Sequence, residues 1–129
     1  MSELVYLASP YSHLDPEVME RRFLDVCKVA AKLMSEGVFV FCPIAHTHPM
    51  AVAGNLPREF DFWEKYDRVV LGQCKKLIVV KMPGWDISKG VQAEINIATE
   101  IGIPVEYMEW IDDVRTPVCF IDGYSIGND

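Results

Sequence analysis

The residues best suited to chemistry in this sequence are two acidic side chains on the apolar faces of two predicted helices. At 100° per residue, Glu94 lies between Val91 and Ala98, on the side of its helix where leucine or isoleucine is expected. Asp67 falls in the same way among the apolar residues of the preceding helix. A carboxylate in such a setting is costly unless it has partners or lines a cleft. The pattern therefore indicates two working carboxylates.

A structural interpretation stays open for both residues, because structural ion pairs also bury charge. Glu94 could extend past the edge of the apolar stripe or take part in a buried ion pair. Asp67 could cap a neighbouring loop or pair with a lysine. The two interpretations differ in one respect, since only a working carboxylate needs to face a cavity.

The residues just before Glu94 form a candidate binding feature. A Pro-Gly turn follows the apolar run at residues 77–80, and Asp86 or Ser88 is the predicted N-cap of the helix that begins after it. Gly90, in the first turn, allows another group to approach the backbone closely. The free N–H groups at the start of a helix that follows a strand favour an anionic ligand.

Two histidines lie in residues 43–56, which are rich in Pro, His, Gly and Asn and are predicted to form a long functional loop or lid. His46 and His48 make a weak metal motif, because no third ligand follows at a recognisable spacing. We expect no metal site here. Contact between His46 and a ligand is a further expectation.

The elements that must position these residues alternate between strands and helices. Continuous apolar runs predict strands at residues 4–8, 38–42, 77–80 and 103–107, with a possible last edge strand at 118–121. Helices are predicted at 15–36, 57–74 and from the Pro-Gly turn to 101, with 109–116 irregular and 123–129 a tail. The pattern predicts a single α/β domain over residues 1–129. Its fold is an open parallel sheet of four to five strands with helices on both faces, of Rossmann or flavodoxin-like type.

In such sheets ligands bind beyond the carboxyl ends of the strands, at the point where the strand order reverses. That edge is predicted to gather residues 9–13, 43–48 and 84–90. Glu94, in the second turn of its helix, can point into the same crevice.

Composition excludes several classes of partner. A net charge of −7 argues against binding to nucleic-acid polymers or to an anionic membrane surface. The four cysteines are widely spaced in apolar contexts without a CxxC motif, which is typical of reduced thiols in a cytoplasmic protein. We expect no signal peptide, and no segment reaches the ~18 apolar residues of a membrane span.

Several short motifs, in order and spacing, resemble the nucleoside 2-deoxyribosyltransferase-like superfamily, nearest to a group of small bacterial domains of uncharacterised activity. The matching segments are residues 6–11, Asp67 with residues 74–80, residues 88–94, Ala98 and residues 102–105. The resemblance implies that Glu94 is the nucleophile at C1′ of the sugar and that Tyr6 orients it. It also implies that Asp67 serves sugar binding or protonation of the leaving base.

The segment from Ser88 to Glu94 is also similar to the 2′-deoxynucleoside 5′-monophosphate N-glycosidase, in which a serine donates to the 5′-phosphate. The transferases carry aspartate at that point, and Asp86 lies two residues too early to replace it. A neutral donor beside a helix N-terminus suits a dianion, which an aspartate would repel. Ser9, Tyr11 and Ser12 complete the expected substrate-binding set with His46, Asp86, Ser88 and Gly90.

The expected function is N-glycosidic bond cleavage or transfer on a (deoxy)nucleoside or nucleoside 5′-monophosphate, without a cofactor, with a homo-oligomer as the expected assembly. Three alternatives remain open: a nucleotide-sensing module without turnover, a glycohydrolase acting on NAD or a nucleotide, and a purely structural or protein-binding role. Tryptophans such as Trp63 could stack on a base, although aromatics at helical positions are more commonly core residues.

Overall fold

The sheet order explains how residues distant in sequence meet. A computed structural model describes residues 3–57, 60–110, 120–121 and 124–125. Its main elements are β1 (Leu4–Ala8), α1 (Pro16–Ser35), β2 (Phe39–Phe41), α2 (Pro43–Gly54), α3 (Phe60–Leu71), β3 (Lys76–Val80), a 3-10 turn (Trp85–Ile87), α4 (Lys89–Ile101) and β4 (Val105–Met108). The four strands are parallel in the order β2-β1-β3-β4. The chain thus leaves β1 toward β2 and later returns to its other side as β3, which places the switch point beside β1.

Alternation along β1 divides the core into two layers. Val5 and Leu7 face α1, whose buried residues include Val26 and Leu33. Tyr6 and Ala8 face the opposite layer, which holds buried residues of α3 and α4. Helices therefore cover both faces, and the predicted open α/β sheet is confirmed.

Local capping chemistry fixes the ends of the longest helices. Asp15 caps α1 by accepting a hydrogen bond from the Glu17 N–H, and Pro16 occupies the first turn. Gly102 ends α4 in the left-handed conformation, with a φ of 84°. Both ends agree with the sequence-based prediction to within a residue.

The prediction of a loop at residues 43–56 is wrong, because Pro43–Gly54 forms helix α2. Its apolar residues are spread around the helix axis, so no stripe is visible in the sequence, and the internal Pro49 disfavours a helical interpretation. Pro43 in the first turn and Asn55 in the left-handed region after Gly54 are ordinary helix boundaries. The segment predicted as a loop or lid is therefore a helix of the domain.

The possible last edge strand is also corrected. Of residues 118–121, the structure describes Phe120–Ile121, which pair antiparallel with Tyr124–Ser125 in a separate two-stranded sheet. These residues add nothing to the edge of the parallel sheet. Residues 111–116 and the rest of the tail lie outside the described residues.

The predicted buried faces of the helices need small corrections. Tyr66 and Ile101 are 42% and 41% exposed, so the apolar sides of α3 and α4 are narrower than their sequences suggest. The side chain of Phe60 lies outside the described set. None of the described helices has the length and apolar character needed to span a membrane.

Candidate active site

A cavity of about 440 Å³ lies at the carboxyl ends of the strands. Its walls come from the loop after β1, from α2 and α3, and from the turn that leads into α4. This volume lies within the ~300–1,000 Å³ usual for small-molecule sites. The three segments predicted to meet at this edge all contribute residues to the lining.

Glu94 is at the centre of the candidate site. The residue is only 6% exposed, yet its side chain lines the cavity. The Tyr6 hydroxyl donates a hydrogen bond of 2.6 Å to Glu94 Oε2. Tyr6 belongs to the central strand β1 and is fully buried, so this donor is fixed by the core. Burial, together with the charge of Glu94, raises the pKa of Tyr6 well above its ordinary value and keeps it protonated as a donor.

Asp67 forms a carboxyl pair with Glu94. It projects from α3, is 6% exposed, lines the cavity and shares a side-chain hydrogen bond with Glu94. Burial raises the pKa of Asp67 from 3.8 to about 6. Burial, reinforced by the charge of Asp67, raises the pKa of Glu94 well above its ordinary value. Two carboxyls this close cannot both ionise easily, so the pair retains one proton into the neutral range.

The start of α4 forms the next part of the wall. Ser88 is the N-cap, and its Oγ accepts a hydrogen bond of 3.2 Å from the Val91 N–H. Ser88 and Gly90 line the cavity, whereas Asp86 lies in the preceding 3-10 turn, is exposed and does not line it. The structure thus selects Ser88 from the two predicted caps.

The loop after β1 supplies Ser9, Tyr11 and Ser12 to the lining, as expected. Ser9 is 5% exposed, and its buried Oγ has no hydrogen-bond partner among the described residues. A buried hydroxyl of this kind needs a partner, and a ligand in the cavity can supply it.

The position of His46 does not support the expected contact with a ligand in the cavity. His46 is exposed, stacks on Tyr66, lies in a tilted contact with Phe41, and does not line the cavity. His48 is 7% exposed and lines the cavity instead. Because both residues lie on helix α2, a separation of two residues turns them to different sides. The described residues contain no group of three His, Cys, Asp or Glu side chains placed to hold a metal ion.

Arg22 is a site residue that sequence reasoning missed. Its Nη1 donates to the Ser12 carbonyl at 2.9 Å and more weakly to the Tyr11 carbonyl at 3.4 Å, and its side chain lines the cavity. Partial burial lowers the pKa of this guanidinium. The sequence offers little signal for it, since an arginine on an amphipathic helix is ordinarily a solvent-facing residue.

Two further lining residues come from α3. Trp63 faces the cavity, and its indole N–H donates to the Pro57 carbonyl at 2.8 Å. Asp61 forms a 3.2 Å ion pair with Lys89, and both also line the cavity although their side chains are largely exposed. The cavity therefore combines a buried acidic end, a cation and an aromatic wall.

Together these features define an open α/β domain with a candidate active site built around a buried carboxyl pair. A family model described as a domain of unknown function, DUF1937, matches residues 3–110, and the chain belongs to that family. The comparison with curated proteins gives no match. The family description names no activity, so the case for a function depends on the chemistry of the cavity.

Proposed function

We propose that this protein cleaves or transfers the N-glycosidic bond of a (deoxy)nucleoside or nucleoside 5′-monophosphate, with Glu94 as the nucleophile at C1′. The observation that carries the proposal is the Glu94 carboxyl, buried at a cavity wall and held by the Tyr6 hydroxyl at 2.6 Å. The resemblance to the nucleoside 2-deoxyribosyltransferase-like superfamily supports the same role for the same residue.

The reaction begins when a Glu94 oxygen forms a bond to C1′ as the bond from C1′ to the base nitrogen breaks. Positive charge develops on the sugar ring in an oxocarbenium-like transition state, which an adjacent carboxylate stabilises. The product of this step is a glycosyl ester of Glu94. Water then releases the sugar in a hydrolase, or a second base accepts it in a transferase.

The role of Glu94 requires its ionised form, whereas burial and the charge of Asp67 raise its pKa. The Tyr6 hydroxyl donates to Glu94 and therefore favours the anionic form of that residue. Asp67, with its pKa raised to about 6, is largely ionised at neutral pH, and its carboxylate can accept a hydrogen bond from a sugar hydroxyl. The buried hydroxyl of Ser9 is a second candidate partner for the sugar.

A 5′-phosphate on the substrate is supported by Arg22 and by the residues that line the cavity at the start of α4. Ser88, the N-cap of α4, and Gly90 in its first turn line the cavity, and Arg22 lines it as well. A helix N-terminus and a guanidinium both stabilise a phosphate dianion. Trp63 offers a surface on which a base can stack.

The test is a panel of deoxynucleosides, ribonucleosides, their 5′-monophosphates and NAD, followed by chromatography for free base. We expect base release from at least one (deoxy)nucleoside or monophosphate by the wild type, and a loss of more than ~1,000-fold in Glu94→Gln, which keeps the shape but removes the nucleophile. Glu100→Gln is the matched control, because Glu100 lies on the same helix with a side chain 67% exposed.

The remaining outcomes distinguish the alternatives. Full activity in Glu94→Gln would contradict the nucleophile role. Release of nicotinamide from NAD alone would favour the glycohydrolase of a related family, and a ligand-induced rise in melting temperature without base release would favour a sensing module.

A further inference from the structure

A second hydrogen-bonded series of ionisable groups reaches the same cavity. Tyr11 Oη lies 2.5 Å from His48 Nδ1, and His48 Nε2 lies 2.9 Å from Glu20 Oε1. The imidazole is stacked on Phe23 with ring centroids 4.3 Å apart. Tyr11 and His48 line the cavity, and none of these groups is needed for the roles given above to Glu94.

The arrangement suits proton transfer at Tyr11. The Glu20 carboxylate accepts from Nε2–H, so the imidazole is oriented with Nδ1 toward the phenol. A hydroxyl on one ring nitrogen and a carboxylate on the other is the arrangement by which a histidine delivers or removes a proton at a reacting hydroxyl. Burial of the ring, which is 8% exposed, holds this geometry.

The hydrogen-bonded series of Tyr11, His48 and Glu20 lies apart from the carboxyl pair. Glu20 projects from α1, which packs on the face of the sheet formed by Val5 and Leu7. Glu94 projects from α4, which packs on the face formed by Tyr6 and Ala8. The hydrogen-bonded series of Glu20, His48 and Tyr11 and the carboxyl pair therefore reach the cavity from opposite layers of the domain.

Displacement at C1′ requires groups on two sides of the sugar. The base departs from the face opposite the attacking carboxylate, and a proton donor is needed on that face. Asp67 is hydrogen-bonded to Glu94 and so lies on the side of the nucleophile. Tyr11 lines the cavity and is hydrogen-bonded to His48, which belongs to the other layer.

We infer that Tyr11 is the proton-transfer residue on the leaving-group side, with His48 and Glu20 as the residues that position it. This inference depends on the proposed glycosyl transfer to Glu94. As the bond between C1′ and the base nitrogen breaks, Tyr11 gives its hydroxyl proton to that nitrogen and takes the Nδ1 proton of a His48 imidazolium paired with Glu20. In hydrolysis the attacking water gives a proton to the Tyr11 oxygen, the Tyr11 proton returns to Nδ1, and the ester bond to Glu94 breaks.

The experiment compares two leaving groups on the same sugar. One substrate is the nucleotide or nucleoside cleaved in the panel, and the other is the 4-nitrophenyl glycoside of the same glycosyl group, whose nitrophenolate departs without a proton. Release is measured in single turnover with enzyme in excess, because that rate reports the first bond cleavage alone. Tyr11→Phe should slow base release by ~100-fold or more, and nitrophenolate release by less than ~3-fold.

Two variants complete the design. His48→Gln should give the same selective loss to a smaller extent, since it acts through Tyr11. Tyr107→Phe is the matched control, because Tyr107 is 50% exposed on β4 and does not line the cavity. If Tyr11→Phe fails to fold by circular dichroism, Glu20→Gln decides the matter, with an expected selective loss of ~10-fold.

The outcomes separate the inference from the proposed function. Equal slowing of both substrates, or no slowing of either, would overturn the role of Tyr11 while leaving Glu94 as the nucleophile. A wild-type protein that releases neither leaving group overturns the proposed function, and the inference falls with it.

Discussion

Glu94 and Asp67 show what a residue pattern can and cannot predict. Both were predicted from their apolar neighbours, and both are buried at the wall of one cavity. Tyr6 gives no such signal, because a tyrosine within a continuous apolar strand resembles any other core residue. Only the resemblance to the nucleoside 2-deoxyribosyltransferase-like superfamily implies that Tyr6 is a partner of Glu94. The hydrogen bond of 2.6 Å between the two side chains is visible only in the structure.

The raised pKa of Asp67 predicts a dependence of stability on pH. The folded state binds this proton more tightly than the unfolded chain does. Ionisation of Asp67 therefore leaves the free energy of unfolding unchanged below about pH 4 and lowers it by its full amount above about pH 6. A difference of about 2 pKa units corresponds to up to ~3 kcal/mol. The free energy of unfolding of Asp67→Asn, relative to wild type, should therefore rise as pH increases from 4 to 7.

Urea unfolding at several pH values measures this difference. Asp61→Asn is the control, since Asp61 lies on the same helix with a side chain 76% exposed. A stability difference for Asp67→Asn that does not change between pH 4 and 7 would contradict the buried carboxyl pair.

The neutral side chain of Ser88 leads us to expect a preference for a ligand that carries a phosphate. Ser88→Asp retains a good N-cap but places a carboxylate beside the expected phosphate, at a cost of about 4 kcal/mol or ~1,000-fold for unit charges about 4 Å apart at an effective dielectric constant near 20. The ratio of kcat/KM for the monophosphate to that for the free nucleoside should fall by this factor. Ser88→Asn is the neutral control that also caps a helix, and an unchanged ratio in Ser88→Asp would argue against phosphate at this position.

At the scale of elements, α2 was the hardest part of the chain to predict. A helix without an apolar stripe and with an internal proline has no periodic signature, and without the helix the sequence does not show that His48, rather than His46, lines the cavity. The strands were predictable because each is a continuous apolar run. Helices α1 and α4 were predictable because each combines a periodic apolar pattern with a clear cap. Burial of one residue in a helix can be inferred only after the helix itself has been identified.

A glycine in the turn between β3 and α4 allows a test of whether Arg22 binds the phosphate. Gly84 has a φ of 94°, and a Cβ built there would lie 2.8 Å from Arg22 Nη2. Gly84→Ala should cost ~1–2 kcal/mol in stability from backbone strain and should also displace the guanidinium from the cavity. KM for a 5′-monophosphate is then expected to rise by ~10-fold, with KM for the free nucleoside unchanged.

Gly102→Ala is the matched control for this turn. Gly102 has a φ of 84° and no atom within 4 Å of an added Cβ, so it reproduces the strain without moving an arginine. If the two alanine variants raise KM for the monophosphate equally, Arg22 has no part in binding it.

At the scale of the whole molecule, four parallel strands bring segments separated by as many as 88 residues to one edge of the sheet. The fold class was predictable because each strand is apolar enough to be covered on both faces. The pairing order determines which loops become neighbours, and it is inferred from the general behaviour of such sheets rather than from any single residue.

The hydroxyl that donates to Glu94, the proposed nucleophile, belongs to Tyr6, a buried residue within strand β1 of the sheet. The Tyr6 hydroxyl can therefore move away from Glu94 only if the core of the domain moves with it. Heating should leave the chemistry intact up to the temperature at which the domain melts, and the loss of turnover and of circular dichroism should follow one curve.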